Sequence, residues 1–454
     1  MAELHIGIKR NVLLRFSLEA YDIVDLIHGE LRQVFESIVK IIKYPAISLV
    51  LLLLSSALHA AEPLDVLHWW TSPNERRAAD FLRQKMAEEN IEWRDSAIPG
   101  GAGGGAMKVL KSRVLSGKPP AVSQLIGPAI QEWAELGLIL EIDSAAARWQ
   151  SQLFPTVWNL VEHRQHTVAV PLGIHRINTL LYNKKIFDRL GLKPPRDFND
   201  FRRIALILQA AGITPLAQSN EAWQVATLFE TLVLAEGDVA FYRDLFVKKN
   251  PQAYLDPRFA RALNRLREWK TYTHKGNGDV SWTEVAKQFA SGQAAMLVMG
   301  DWMKGELVAQ GLLLDVDFAC STVPKTEDSH LYSIDTLVMF AGDYAKQVNQ
   351  ERFAQLMVSP AVQLGYNRIK GSIPVRRDMD IASLDSCSKA SWRAFSRGSA
   401  FQAPSLVHRM AADETFKDVV VAQIQTFYLD DKISVVETQQ RLAAMVKALN
   451  RKEE

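Results

Sequence analysis

The sequence predicts an α/β protein of two lobes built from one interleaved chain. Three observations carry that prediction. At 454 residues the chain exceeds what one hydrophobic core serves, so two lobes are expected. From about residue 62, short apolar strands alternate with amphipathic helices, the βαβα rhythm of a parallel sheet covered by helices. The middle of the chain is a long run of helices, and strand patterns return beyond it. Strands drawn from both the beginning and the end imply that the chain crosses between lobes more than once.

The first segment is read as an export signal. In "VKIIKYPAISLVLLLLSSALHAAE" (39–62), Lys40 and Lys43 precede an apolar run from Ile47 to Leu54, and small residues end at Ala60 and Ala61. That is the layout of a signal peptide cleaved near Ala60. The proline and serines weaken it as a membrane anchor, and Leu58 stands where a smaller residue is usual. Residues 1–38 have helical apolar spacing but belong to no signal. Either Val39 is the true first residue, or 1–38 is an amphipathic extension.

The mature chain then falls into elements. A strand over 66–69 leads to a helix opened by Ser72-Pro73-Asn74-Glu75, a helix-start pattern. Strands follow at 91–98 and 121–127, with helices at 108–117 and 129–137. Residues 167–174 and 178–183 read as strands. Helices are predicted at 183–190, 197–210, 221–236, 238–248, 257–273 and 282–290. Residues 294–300 form a buried strand before a helix opened by Asp301, and 315–320 and 333–340 are further strands. The tail from Phe401 reads as helical. The first lobe is placed at 61–170, with later segments returning to it, and the helix-rich second lobe at 171–454.

Composition narrows the function. Apolar residues at 48% and charged residues at 23% are ordinary for a soluble globular protein. The balance of 53 basic against 51 acidic residues, with no clustered basic helix, argues against a nucleic-acid partner. Cys320 and Cys387 are too far apart for a CxxC motif; a disulfide and two buried free thiols both remain open.

Two motifs are read down. "GGAGGG" (100–105) lacks the Gly-Lys-Ser/Thr of a phosphate loop and follows the second strand, not the first. It is read as a turn that lets backbone approach another surface. "HRQH" (163–166) has no accompanying set of Glu, Asp and Cys to complete a metal site and sits before a strand on an expected loop, so solvent-facing histidines are expected.

The tryptophans are read up. "LHWW" puts Trp69 and Trp70 at a strand end, where neighbouring side chains point to opposite faces. "MGDWMKGE" puts Asp301 and Trp302 at another strand end, "SIDTL" puts Asp335 in a third, and Trp223 opens a helix. Open α/β sheets gather ligands beyond their strand ends. Indole faces beside carboxylates suit a sugar, which has an apolar C–H face and a rim of hydroxyls that donate and accept. Such a pocket would close between lobes.

With "LHWWTSPNE", "GGAGGGAMKVLKSRVLSGKPPAV", "GPAIQEWAELG", "HRINTLLYNKKIFDRLGL", "AWQVATLFET", "MGDWMKGE", "KGSIPVR" and "PSLVHRMA", residues 62–451 resemble the periplasmic glucose/mannose-type sugar-binding proteins of bacterial ABC transporters, in extracellular solute-binding protein family 1. The resemblance implies two α/β lobes hinged over one bound monosaccharide, a glucose-like hexose. It also implies periplasmic location, delivery to a membrane permease, a monomer, and no catalysis, cofactor or metal. It implies that Trp69 and Trp70 flank the sugar, and that Glu75 accepts from a hydroxyl. Asp301, Trp302 and Asp335 line the cleft, Lys370 and His408 donate, and Trp223 contributes from the other lobe. His175 and Arg176 lie near the lobe crossing. Ile126 departs from the pattern, standing where relatives often carry lysine or glutamine. If that position faces the sugar, a charge-assisted bond worth about 1.5–3 kcal/mol is missing, and Ile126→Lys is expected to tighten glucose binding. Two other functions remain in view. One is a sensor showing its closed form to a membrane histidine kinase or chemoreceptor. The other is a glycoside hydrolase, which needs two carboxylates flanking one bond.

Overall fold

A computed structural model describes residues 63–100, 103–274, 278–342 and 344–453. The signal-peptide reading, the 1–38 extension and Gly101 and Ala102 of "GGAGGG" lie outside the described residues. Among those described, no helix is long and apolar enough to cross a membrane.

Among the described residues, twelve strands run in chain order. They are β1 (Leu64–His68), β2 (Trp93–Ala97), β3 (Val122–Gln124), β4 (Glu162–His163), β5 (His166–Thr167), β6 (Val170–Arg176), β7 (Thr179–Asn183), β8 (Thr214–Ala217), β9 (Ala294–Met299), β10 (Phe318–Thr322), β11 (His330–Met339) and β12 (Gln402–Pro404). In the first sheet β1 lies between β2 and β3, parallel to both. The long β11 pairs antiparallel with β3 and β6 and parallel with β12. The second sheet has the order β10-β7-β9-β8 and is antiparallel apart from β8 and β9.

The helix at Pro73–Glu88 begins as its sequence dictates. Ser72 accepts from the Glu75 backbone N–H and the Glu75 side chain accepts from the Ser72 N–H, a reciprocal capping box, with Pro73 in the first turn. This helix buries Ala78, Leu82 and Met86 on the first sheet. The helices at Tyr344–Met357, Pro360–Lys370 and Ser386–Phe395 return late in the chain to the same core, through Phe353, Tyr366 and Trp392. A second core gathers the helices of residues 184–270 with the C-terminal pair Glu414–Leu429 and Val435–Glu453.

The chain therefore crosses between lobes at 177–178, 323–329 and 405–413. The boundary expected at 170 is corrected: β6 belongs to the first sheet, so the first crossing follows Arg176. The "helical" tail is corrected too. Residues 402–404 are a strand, and the helices start only at Glu414. The short β8 and β12 were not foreseen. Each has a buried pattern too short to show a period.

Cys320 and Cys387 form a disulfide with their Cα atoms 5.7 Å apart. It joins edge strand β10 of the second sheet to the helix Ser386–Phe395, which packs into the first core through Trp392 and Phe395.

Candidate functional site

The end of β1 sends its two tryptophans in opposite directions. Trp70 is 1% exposed in the first core. Trp69 is half-buried and faces a cavity of about 430 Å³ between the two lobes, within the roughly 300–1,000 Å³ usual for small-molecule sites. The expectation that Trp70 flanks the ligand is therefore corrected: its ring does not line the cavity. It lies beneath the lining instead, with Lys370 Nζ 5.7 Å from its ring centroid.

The glycine loop backs onto Trp69. Gly103 has φ +75°, and a Cβ there would stand 2.7 Å from Trp69 Cε3. The loop's backbone takes the place a side chain would need, so the approach anticipated for this turn is made to the indole.

The first lobe supplies a connected polar floor. The Trp69 backbone N–H donates to Gln124 Oε1 (3.3 Å), and Gln124 Nε2 donates to Asp335 Oδ1 (3.2 Å). Asp335 Oδ2 accepts from Tyr366 OH (3.1 Å) and from His175 Nε2 (3.3 Å). His175 Nδ1 donates to Asp301 Oδ1 (2.6 Å). A register shift between β6 and β11 falls at Asp335/Thr336, where a bulge can re-aim a side chain.

Burial opposes charge on His175, but Asp301 and Asp335 on either side outweigh it and push its pKa up to about 9. Burial likewise disfavours ionised Asp335, but His175, Lys370 and Tyr366 hold it down at about 2. At neutral pH the floor holds an imidazolium beside ionised Asp335.

Other expected residues divide by position. Glu75, Ile126, His175, Trp223, Trp302, Asp335, Lys370 and His408 line the cavity with Trp69. Lys370 Nζ donates to Glu75 Oε1 at 2.9 Å, so these two groups pair across its wall. Asp301 does not line it. Its carboxylate accepts from His175 and from the Arg176 backbone N–H (3.0 Å) and makes no cap bond to the helix Trp302–Ala309 that it opens. Arg176 also turns away, donating to Asn178 Oδ1 and to the carbonyls of Thr326, Glu327 and Ser329. Burial lowers its pKa to about 10. It clamps the crossing segment rather than facing the cavity.

Ile126 is 6% exposed and lines both this cavity and a neighbouring one of about 490 Å³. Its place is held by Gly127, where a Cβ would stand 1.7 Å from the Arg409 carbonyl oxygen.

Sequence reasoning missed Trp282, Glu221 and Ser333, which also line the cavity. Trp282 carried the same mark as Trp223 and Trp302, an indole in the first turn of a helix. Glu221 accepts from Trp223 Nε1 (3.0 Å) and Gln224 Nε2 (2.6 Å), which orients that indole. At "HRQH" the fold brings up two carboxylates from about twenty residues upstream. Glu141 and Asp143 stand with His166, their ligand atoms all within 4.8 Å and exposed. Asp143 there accepts from His166 and from the Thr167 N–H.

Residues 73–364 match the family described as bacterial extracellular solute-binding protein. A probable sugar-binding periplasmic protein of Rhizobium meliloti (strain 1021) is 32% identical over 341 residues, 75% of this chain and 82% of that protein. The xylose/arabinose-binding protein XacG of Haloferax volcanii is 24% identical over 359 residues, 77% of each. Among solved structures, the bacterial solute receptor AcbH, described as exclusive for β-D-galactopyranose, superposes with TM-score 0.74 at 17% identity. That match covers 85% of this chain and 99% of the receptor. A chitin oligosaccharide binding protein gives 0.73 at 16%, covering 86% and 100%. At those identities the likeness is one of fold.

Proposed function

The chain belongs to the bacterial extracellular solute-binding protein family, and on that premise we propose that it is an exported receptor that captures one glucose-like hexose between its lobes and hands it to the permease of an ABC transporter. The family is one of binding proteins, so its carboxylates bind rather than hydrolyse. The relatives named as sugar-binding periplasmic proteins support the sugar class and the export, and a relative named as an ABC transporter extracellular-binding protein supports the transporter partner. The signal layout before Ala61 fits that route.

One observation carries the ligand reading. Four of the chain's eleven tryptophans, Trp69, Trp223, Trp282 and Trp302, line one cavity with Glu75, Asp335, Lys370 and His408. Flat apolar faces and charged hydrogen-bonding groups in one enclosure match a pyranose and little else of that size. In this reading Trp69 stacks on the ring, Glu75 and Asp335 accept from hydroxyls, and Lys370 donates. Trp223, Trp282 and Trp302 close from the second lobe. Asp301 acts through His175, which it orients. Binding shifts an open–closed equilibrium, and the permease reads the closed form.

Calorimetric titration of the chain from Ala61 onward against glucose, galactose, mannose, xylose and several disaccharides tests this. One-to-one binding of a hexose is expected. Heat from an oligosaccharide alone, with none from any monosaccharide, would overturn the monosaccharide reading and direct attention to the adjoining cavity beyond Trp69 and Ile126.

A further inference from the structure

Among the described cavity-lining residues, His408 Nε2 is the buried side-chain nitrogen left without a hydrogen-bond partner. The His408 ring is held edge-on and tilted between Trp223 and Trp302, with centroids 6.3 Å and 5.0 Å away. Which kind of bond Nε2 offers a ligand depends on the other nitrogen. Nδ1 lies 2.9 Å from Ser405 Oγ.

A serine hydroxyl has one proton and two lone pairs. Ser405 Oγ accepts from the His408 backbone N–H at 3.1 Å and donates to Glu230 Oε1 at 2.7 Å. Glu230 is 1% exposed, and its Oε2 accepts from Tyr242 OH (2.7 Å) and the Leu406 N–H (2.9 Å). Burial and then the Glu230 carboxylate push the Tyr242 hydroxyl well up, so it stays a donor. Glu230 is thus surrounded by donors, and the single Ser405 proton is committed to it. The lone pair left on Ser405 can only accept from Nδ1–H. With the proton of a neutral ring placed on Nδ1, Nε2 is left as a bare lone pair that no protein group meets.

We propose that Glu230, acting through Ser405, sets the tautomer of His408 so that Nε2 accepts a hydroxyl proton from the bound ligand. Glu230 is then a positioning residue that touches no ligand. The wall at His408 selects a hydroxyl donor and disfavours an ether oxygen or a carboxylate, so neutral sugars are preferred there over uronic acids. This reverses the donor role that the family resemblance implies for His408. The ligand's identity rests on the sugar reading above; the tautomer does not.

Imidazole ¹⁵N shifts of histidine-labelled protein at pH 7.5, with His408 assigned by its loss in His408→Gln, test the tautomer before any ligand is added. A protonated Nδ1 and bare Nε2 are expected. In Glu230→Gln the amide donates to Ser405, the serine proton turns to Nδ1, and the histidine proton is expected on Nε2. Glucose affinity should fall about tenfold, the worth of one neutral hydrogen bond. Ser405→Ala should leave a mixture of tautomers. Nε2 protonated in the wild type would overturn the proposal, as would a Glu230→Gln spectrum that keeps Nδ1–H. The expected tautomers with no sugar bound by any variant would sink the sugar reading while supporting the relay.

Discussion

His68 separates the fates of the two tryptophans that follow it. Its buried Nδ1 accepts from the Trp70 backbone N–H (3.2 Å), and its Nε2 donates to Asp95 (2.8 Å). Burial lowers its pKa, against the pull of Asp95, which keeps Nδ1 available as an acceptor. The Trp70 ring stacks on His68 with centroids 5.0 Å apart and fills the core beneath Lys370. Trp69 has no such anchor on its ring and faces the cavity. Truncating the two therefore gives opposite phenotypes. Trp70→Ala should lose about 3–5 kcal/mol of stability, as large core aromatics do, seen as a large drop in melting temperature. Trp69→Ala should melt near wild type but lose at least about tenfold in sugar affinity by calorimetry. Equal stability losses in both variants would place Trp69 in the core as well.

Among elements, the glycine turn before the helix Gly104–Leu115 has the clearest functional shape. Its Gly103 is left-handed, and a Cβ would press on the Trp69 ring. Gly117, after the same helix, is also left-handed (φ +70°) but has nothing within 4 Å of an added Cβ. Gly103→Ala and Gly117→Ala should share a backbone cost of about 1–2 kcal/mol. Only Gly103→Ala should weaken sugar binding, by moving the indole. Comparing the two variants by melting temperature and calorimetry isolates that motion; unchanged affinity in Gly103→Ala would show that the indole does not set it. The Lys370-Gly371 pair follows a similar logic. Gly371 ends its helix at φ +96°, and a Cβ there would lie 2.4 Å from the Asp301 carbonyl oxygen. The last residue of a first-lobe helix is thereby set against the start of a second-lobe one.

Across the whole molecule, His175 joins the lobes. It sits on β6 of the first sheet and donates to Asp301, which follows β9 of the second. With its pKa raised to about 9 in the folded protein, its stabilising charge is fully present below the unfolded value of about 6.5. It fades as pH rises through about 9. Asp335, lowered to about 2, contributes above its unfolded value of about 3.9 and loses that contribution as pH falls through about 2. Thermal melts should show a plateau from about pH 4 to 6.5 and a decline toward pH 9. His175→Gln should melt lower at pH 6 and lack the alkaline decline. A wild-type slope that survives in that variant would assign it to another group.

What the sequence determined by itself is local. Proline, serine and aspartate at helix starts, the strand-helix alternation and the helical middle are written in nearest neighbours, and these predicted most element positions within a few residues. The conjunction of indoles with carboxylates at strand ends pointed to a sugar cleft, because those positions converge in any open α/β sheet. Tertiary structure decided what local pattern cannot carry. Neighbours from distant parts of the chain packed Tyr366 and Lys370 against the Trp70 ring, withdrew Asp301 behind His175, and paired Glu75 with Lys370. The pairing of Cys320 with Cys387 and the commitment of the Ser405 proton to Glu230 were decided in the same way. Burial, partner and tautomer belong to contacts 100 or more residues apart, or to helices packed on strands, and no period in the sequence records them.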